Sequence, residues 1–61
     1  MPKYEMRFTV RFAGKAVDSF ASLDDAETAR YAYAFTLTER NGSPERFGYY
    51  LERVEIATEI V

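Results

Sequence analysis

Neither histidine nor cysteine occurs anywhere in the 61 residues. Without histidine, the side chain best placed to exchange protons near neutral pH is excluded. Without cysteine there is no thiolate nucleophile, no disulfide staple and no thiolate ligand for a structural zinc. Nothing in the chain depends on an oxidising compartment. The three glycines stand apart as turn residues, so a glycine-rich phosphate loop is missing as well. No apolar stretch approaches the length of a membrane span, and no basic start leads into an apolar run, so the sequence reads as soluble and cytoplasmic.

What is present is an amphipathic chain, 48% hydrophobic and 30% charged, which is globular rather than disordered. Its length allows one small domain over residues 1–61, near the lower limit for folding without staples. Eight basic and ten acidic residues leave a net charge of −2, against the basic footprint of a dedicated nucleic-acid binder. That charge is also too small for mimicry of DNA by massed carboxylates.

Catalytic sites find little material. Asp24, Asp25 and Glu27 lack the EF-hand spacing and glycine, and they read as carboxylates at a helix start. Ser19, Ser22 and Ser43 have no histidine to activate them. A carboxylate pair needs an enclosed cleft that a domain this thin hardly provides. The expectation is a non-enzyme with no cofactor and no metal.

From Tyr4 to Phe12 the alternation is strict: Tyr4, Met6, Phe8, Val10 and Phe12 share one face, Glu5, Arg7, Thr9 and Arg11 the other. That period of two predicts a strand with one buried and one wet face. Ala13-Gly14-Lys15 predicts a turn, and Ala16–Ala21 a return strand. A two-residue turn at Gly14-Lys15 sets Phe12 opposite Val17 on the inner face and Arg11 opposite Asp18 on the outer. Phe20 then falls outside, unless a bulge at Ser19 re-aims it.

Ser22 is placed to cap a helix, with Asp24, Asp25 and Glu27 in its first turn and a stop at Asn41-Gly42. Leu23, Ala26, Ala29, Tyr33 and Leu37 form its core stripe, with Ala34 at the margin. Ser43–Arg46 reads as a loop. Phe47–Val61 reads as a last strand: Val54, Ile56, Thr58 and Ile60 alternate with Arg53, Glu55, Ala57 and Glu59. The parity breaks upstream, which predicts a bulge or bend near Leu51-Glu52. A right-handed crossover then gives an α+β fold, a two-layer ββαβ domain whose three-stranded antiparallel sheet has order 2-1-3, with one helix on one face.

Two groups of residues are left over from this core. Tyr31 and Phe35 lie four apart on the helix, well away from the core stripe, and predict an aromatic contact surface for a partner or for self-association. Glu5, Arg7, Thr9, Arg11, Asp18, Arg53, Glu55 and Glu59 are assigned to the open sheet face. Within that face Arg7, Arg11 and Arg53 form a candidate basic cluster, offset by nearby carboxylates. Phe47, Tyr49 and Tyr50 are expected to fill the core, yet ten aromatics are many for one so small.

These features together point to a non-catalytic protein-binding module, a small inhibitor or adaptor of a larger macromolecule, with a homodimer as a further possibility. A phage or mobile-element protein acting on a host machine fits that description. The alternative is a regulator touching nucleic acid through Arg7, Arg11 and Arg53. Nucleic acid is the less expected partner, and no membrane partner is expected.

Overall fold

The computed structural model describes residues 4–60. Strands β1 (Met6–Phe12) and β2 (Lys15–Phe20) form a hairpin, followed by helix α1 (Leu23–Arg40). A short 3-10 turn (Pro44–Arg46) leads into helix α2 (Phe47–Arg53) and strand β3 (Val54–Ile60). The sheet is antiparallel with order β2-β1-β3, and α1 packs on one face, as the alternation and the crossover rule require. No helix among the described residues is long and apolar enough to cross a membrane.

β1 begins at Met6 rather than Tyr4, and it holds the centre. Met6, Phe8, Val10 and Phe12 stand opposite Ile60, Thr58, Ile56 and Val54, so the apolar parities of β1 and β3 share the core face. Val10 and Val54 are its most deeply buried large side chains. Val61, expected to end the last strand, lies outside the described residues.

The hairpin turns one residue earlier than its spacing suggests. Ala13 and Gly14 both have positive φ, 53° and 81°, as a tight turn matched to strand twist requires. Glycine takes that conformation freely, whereas Ala13 does so at a cost of roughly 1 kcal/mol. Phe12 therefore faces Lys15 and Arg11 faces Ala16, not Val17 and Asp18. A bulge at Val17 then shifts the register, so that Val10 pairs with Asp18 and Phe8 with Phe20. The extra residue reverses the parity of the rest of β2, and Phe20 turns to the core side. Asp18 moves off the open face for the same reason, and with Val10, Val17 and Ala29 it borders a hollow between sheet and helix.

α1 starts after Ser22, whose backbone is extended as an N-cap requires but whose hydroxyl makes no capping bond. At the other end the Asn41 side chain donates to the Leu37 carbonyl (2.8 Å), and Gly42 reverses the chain at φ 70°. The buried line runs through Ala26, Ala34 and Thr38. Ala34, expected at the margin, sits at the centre, and Leu23, expected at the head of the stripe, is half exposed. Alanines let the backbone approach the sheet closely, while the bulkier Tyr33 and Leu37 pack beside that line. The buried Thr38 hydroxyl is satisfied by the Ala34 carbonyl at 2.8 Å.

Residues 47–53 are helix, not strand. Phe47, Tyr50, Leu51 and Val54 fall at i, i+3, i+4 and i+7, and all four meet the core. The parity break at Leu51-Glu52 marks a change of period from 3.6 to 2, and no bulge is needed there. Pro44 opens the preceding turn, where its fixed φ is favourable and its missing N–H costs nothing.

Arg30 fastens α2 to α1. Its Nε donates to the Val54 carbonyl at 2.7 Å and one Nη to the Leu51 carbonyl at 3.1 Å, while the other Nη lies 3.6 Å from Glu27. Carbonyls at a helix C-terminus have no partner within the helix, and the guanidinium fork supplies two donors there.

Candidate functional site: an aromatic groove

The turn at Asn41-Gly42 and the Pro44 start carry the chain back so that α2 lies against the middle of α1. This places Phe47 beside the two aromatics that α1 turns outward. Tyr31 stacks on Phe47, with ring centroids 6.3 Å apart and planes inclined by 22°. Phe35, one turn further along α1, remains 56% exposed, and Tyr31 51%. Between Phe35, Phe47 and Pro44 lies a groove of about 480 Å³, floored by Thr38 and closed at its end by Gly42 and Ser43. Only Glu39 brings a charge to its lining.

The sequence therefore identifies two of the three rings correctly as surface residues. Its core assignment of Phe47 holds in part, but a strand reading of residues 47–53 misses that the same ring also lines the groove. The helical spacing of Phe47, Tyr50, Leu51 and Val54 is the signal that could have found it.

The cationic candidates are not gathered into one site. Arg7 donates to the Ser19 hydroxyl and carbonyl, each at 3.1 Å, and pairs with Glu5 at 3.4 Å. Arg11 donates to the Gly14 carbonyl at 3.4 Å and pairs with Glu59 at 3.0 Å. Its partner is Glu59 rather than Asp18, because the bulge removes Asp18 from that face. Between the two arginines Thr9 is only 4% exposed, although it stands on the face expected to be wet. Hydrogen bonds from Arg11 and then from the Thr9 hydroxyl hold the Glu59 carboxyl below its ordinary value of 4.5. Arg53 is the last residue of α2 rather than part of β3, and its guanidinium lies 5.0 Å from the centre of the Tyr49 ring. Cation–π attraction of this kind is worth about 0.5–1 kcal/mol at an exposed site.

Of the aromatics expected to fill the core, Tyr50 does so and Phe47 packs against it in part; Tyr50 meets Tyr49 edge-on at 5.3 Å. Tyr49 itself is half exposed. With Phe12, Arg46 and Arg53 it lines a second hollow of about 470 Å³ at the turn end of the sheet. That hollow carries both signs of charge, since Glu55 faces the arginines, whereas the Phe35–Phe47 groove is nearly free of charge.

No protein-family model, curated protein or solved structure matches this chain.

Proposed function

We propose that this chain is a non-catalytic protein-binding module, a small inhibitor or adaptor that docks an apolar side chain of its partner between Phe35 and Phe47. The groove itself carries the reading. Two aromatic rings, Phe35 and Phe47, line an almost uncharged hollow large enough for one bulky side chain, and a third, the half-exposed Tyr31, stacks on Phe47 beside it. Exposed rings that combine large area with few rotors are the usual anchors of protein interfaces. The chemistry of the residues adds to this, since no histidine or cysteine is present to drive catalysis. Arg7 and Arg11 have hydrogen-bond acceptors within the fold, and Arg53 lies over Tyr49, which makes them weaker anchors for a phosphate backbone.

The test is quantitative capture from extracts of the source cells, with wild type and Phe35→Ala as parallel baits. Loss of the Phe35 ring is expected to weaken the captured partner by roughly 1 to 4 kcal/mol, the range of an interface hot spot. Raising salt from low to moderate strength should change retention little, because the contact is apolar. Capture that survives Phe35→Ala but disappears with salt or with Arg7→Ala would move the site to the open sheet.

A further inference from the structure

Asn41 carries the only side-chain amide in the chain, which has no second asparagine and no glutamine. Gly42 follows it, with no side chain to hinder its backbone nitrogen. In such a pair that nitrogen can attack the asparagine side chain and close a five-membered ring. The end of α1 holds back each group the reaction needs. The Asn41 Nδ2, the leaving group, donates to the Leu37 carbonyl at 2.8 Å. The Gly42 N–H, the nucleophile once deprotonated, donates to the Glu39 carbonyl at 3.2 Å. Asn41 has ψ of 3°, so the Gly42 nitrogen eclipses the Asn41 nitrogen about the Cα–C bond and is turned away from Cβ and Cγ.

We propose that Asn41-Gly42 is a site of self-modification, in which Asn41 is converted to aspartate and isoaspartate at a rate set by fraying of the end of α1. When the last turn opens, both hydrogen bonds are released and ψ is free to rotate. Hydroxide takes the Gly42 N–H proton, and the nitrogen bonds to Asn41 Cγ. The Cγ–Nδ2 bond breaks, and the leaving nitrogen takes a proton from water and departs as ammonia. Water then adds to one of the two carbonyls of the cyclic imide and breaks the bond from that carbonyl to the ring nitrogen. Opening at the backbone carbonyl leaves isoaspartate, and opening at Cγ leaves aspartate. Nothing is oxidised or reduced. Water is the only co-reactant, and both residues are exposed to it.

Neither product can rebuild the cap. A carboxylate has no hydrogen to donate to the Leu37 carbonyl, and it sets negative charge at the negative end of the α1 dipole. Isoaspartate also adds a carbon to the main chain, which displaces Gly42 from the Glu39 carbonyl. Gly42 and Ser43 close one end of the Phe35–Phe47 groove, so that end loosens with the helix. The change runs one way, because the ammonia is lost. The reaction does not depend on what the groove binds.

Intact mass and released ammonia, followed on the full chain in warm neutral buffer with and without denaturing guanidinium, test this. In guanidinium the chain is expected to lose ammonia as fast as a free peptide of residues 37–46. The folded chain should lose it roughly tenfold more slowly, since a helix end opens at low cost but is mostly closed. Glu39→Gly weakens the last turn without touching Asn41 or Gly42, and should speed the folded chain roughly threefold while leaving its denatured rate as it was. If Glu39→Gly fails to fold, Thr36→Gly, also at an exposed position of α1, takes its place. In the separated deamidated product, amide exchange of residues 37–43 should accelerate while that of β1 and β3 stays as in wild type. A folded chain as fast as the denatured one, a weakened helix end that deamidates no faster, or a product with unchanged exchange would overturn the proposal. None of these readouts involves a partner, so a groove that binds nothing leaves the result standing.

Discussion

Tyr50→Ala is expected to leave the chain largely unfolded at 25 °C. The ring is nearly buried, and it belongs to the set with Val10, Ala26, Ala34 and Val54 that forms the core. Two of those five are alanines, so Tyr50 supplies a large part of the apolar area removed from water. Truncating a buried aromatic to alanine costs about 3–5 kcal/mol, from lost transfer free energy and the cavity left behind. A domain of this length has a total stability of only about 3–9 kcal/mol. Tyr50→Phe keeps the ring and its edge contact with Tyr49, and should stay within about 1 kcal/mol of wild type. Urea unfolding followed by circular dichroism checks both. A Tyr50→Ala chain as stable as wild type would mean that α2 does not pack as described.

Arg30→Ala should have the second-largest effect, about 2–3 kcal/mol. Hydrogen bonds from a charged donor contribute about 1.5–3 kcal/mol each, and Arg30 makes two to backbone carbonyls at the α2–β3 junction. The figure is set below their sum because the side chain is 28% exposed and water would reach the freed carbonyls in part. Lysine should recover less than half of the loss, since a single ammonium cannot reproduce the planar fork. The damage should be local as well as global. Amide exchange is expected to accelerate first in residues 47–53, and the Tyr31–Phe47 stack should loosen with it. Uniform acceleration across α1 and the sheet, with α2 no faster than the rest, would show that Arg30 does not hold this junction.

Both substitutions bear on the segment that is hardest to read from the sequence. The sheet is legible because β1 alternates without a fault from Tyr4 to Phe12 and β3 alternates from Val54 onward, and the crossover rule then fixes the order. α1 is legible from its acidic first turn and its Asn41-Gly42 stop. Register in the hairpin is not, because an alanine takes a left-handed turn position that glycine usually holds, and the bulge at Val17 has no distinctive residue type. Residues 47–53 mislead through composition: Phe and two tyrosines favour strand, Gly disfavours helix, and seven residues give only two turns of periodicity. Packing against α1 overrides that preference.

The candidate site follows the same division. Tyr31 and Phe35 are visible as aromatics off the core stripe of a long helix. Phe47 closes the groove only through the misread segment. Arg30 lies hidden because a charged residue near the buried line of a helix looks like an interruption until its two carbonyl partners are known.

The claim that the chain binds protein through this groove is tested most directly by site-specific photocross-linking in the source cells. A photoreactive residue is placed in turn at Phe35 and Pro44 in the groove, at Arg7 and Arg11 on the open sheet, and at Thr58 on the core face of β3. Discrete adducts to a larger protein from Phe35 and Pro44, with none from Arg7 or Arg11, are the predicted result. Silent groove positions, with adducts to protein or nucleic acid from Arg7 or Arg11, would contradict it.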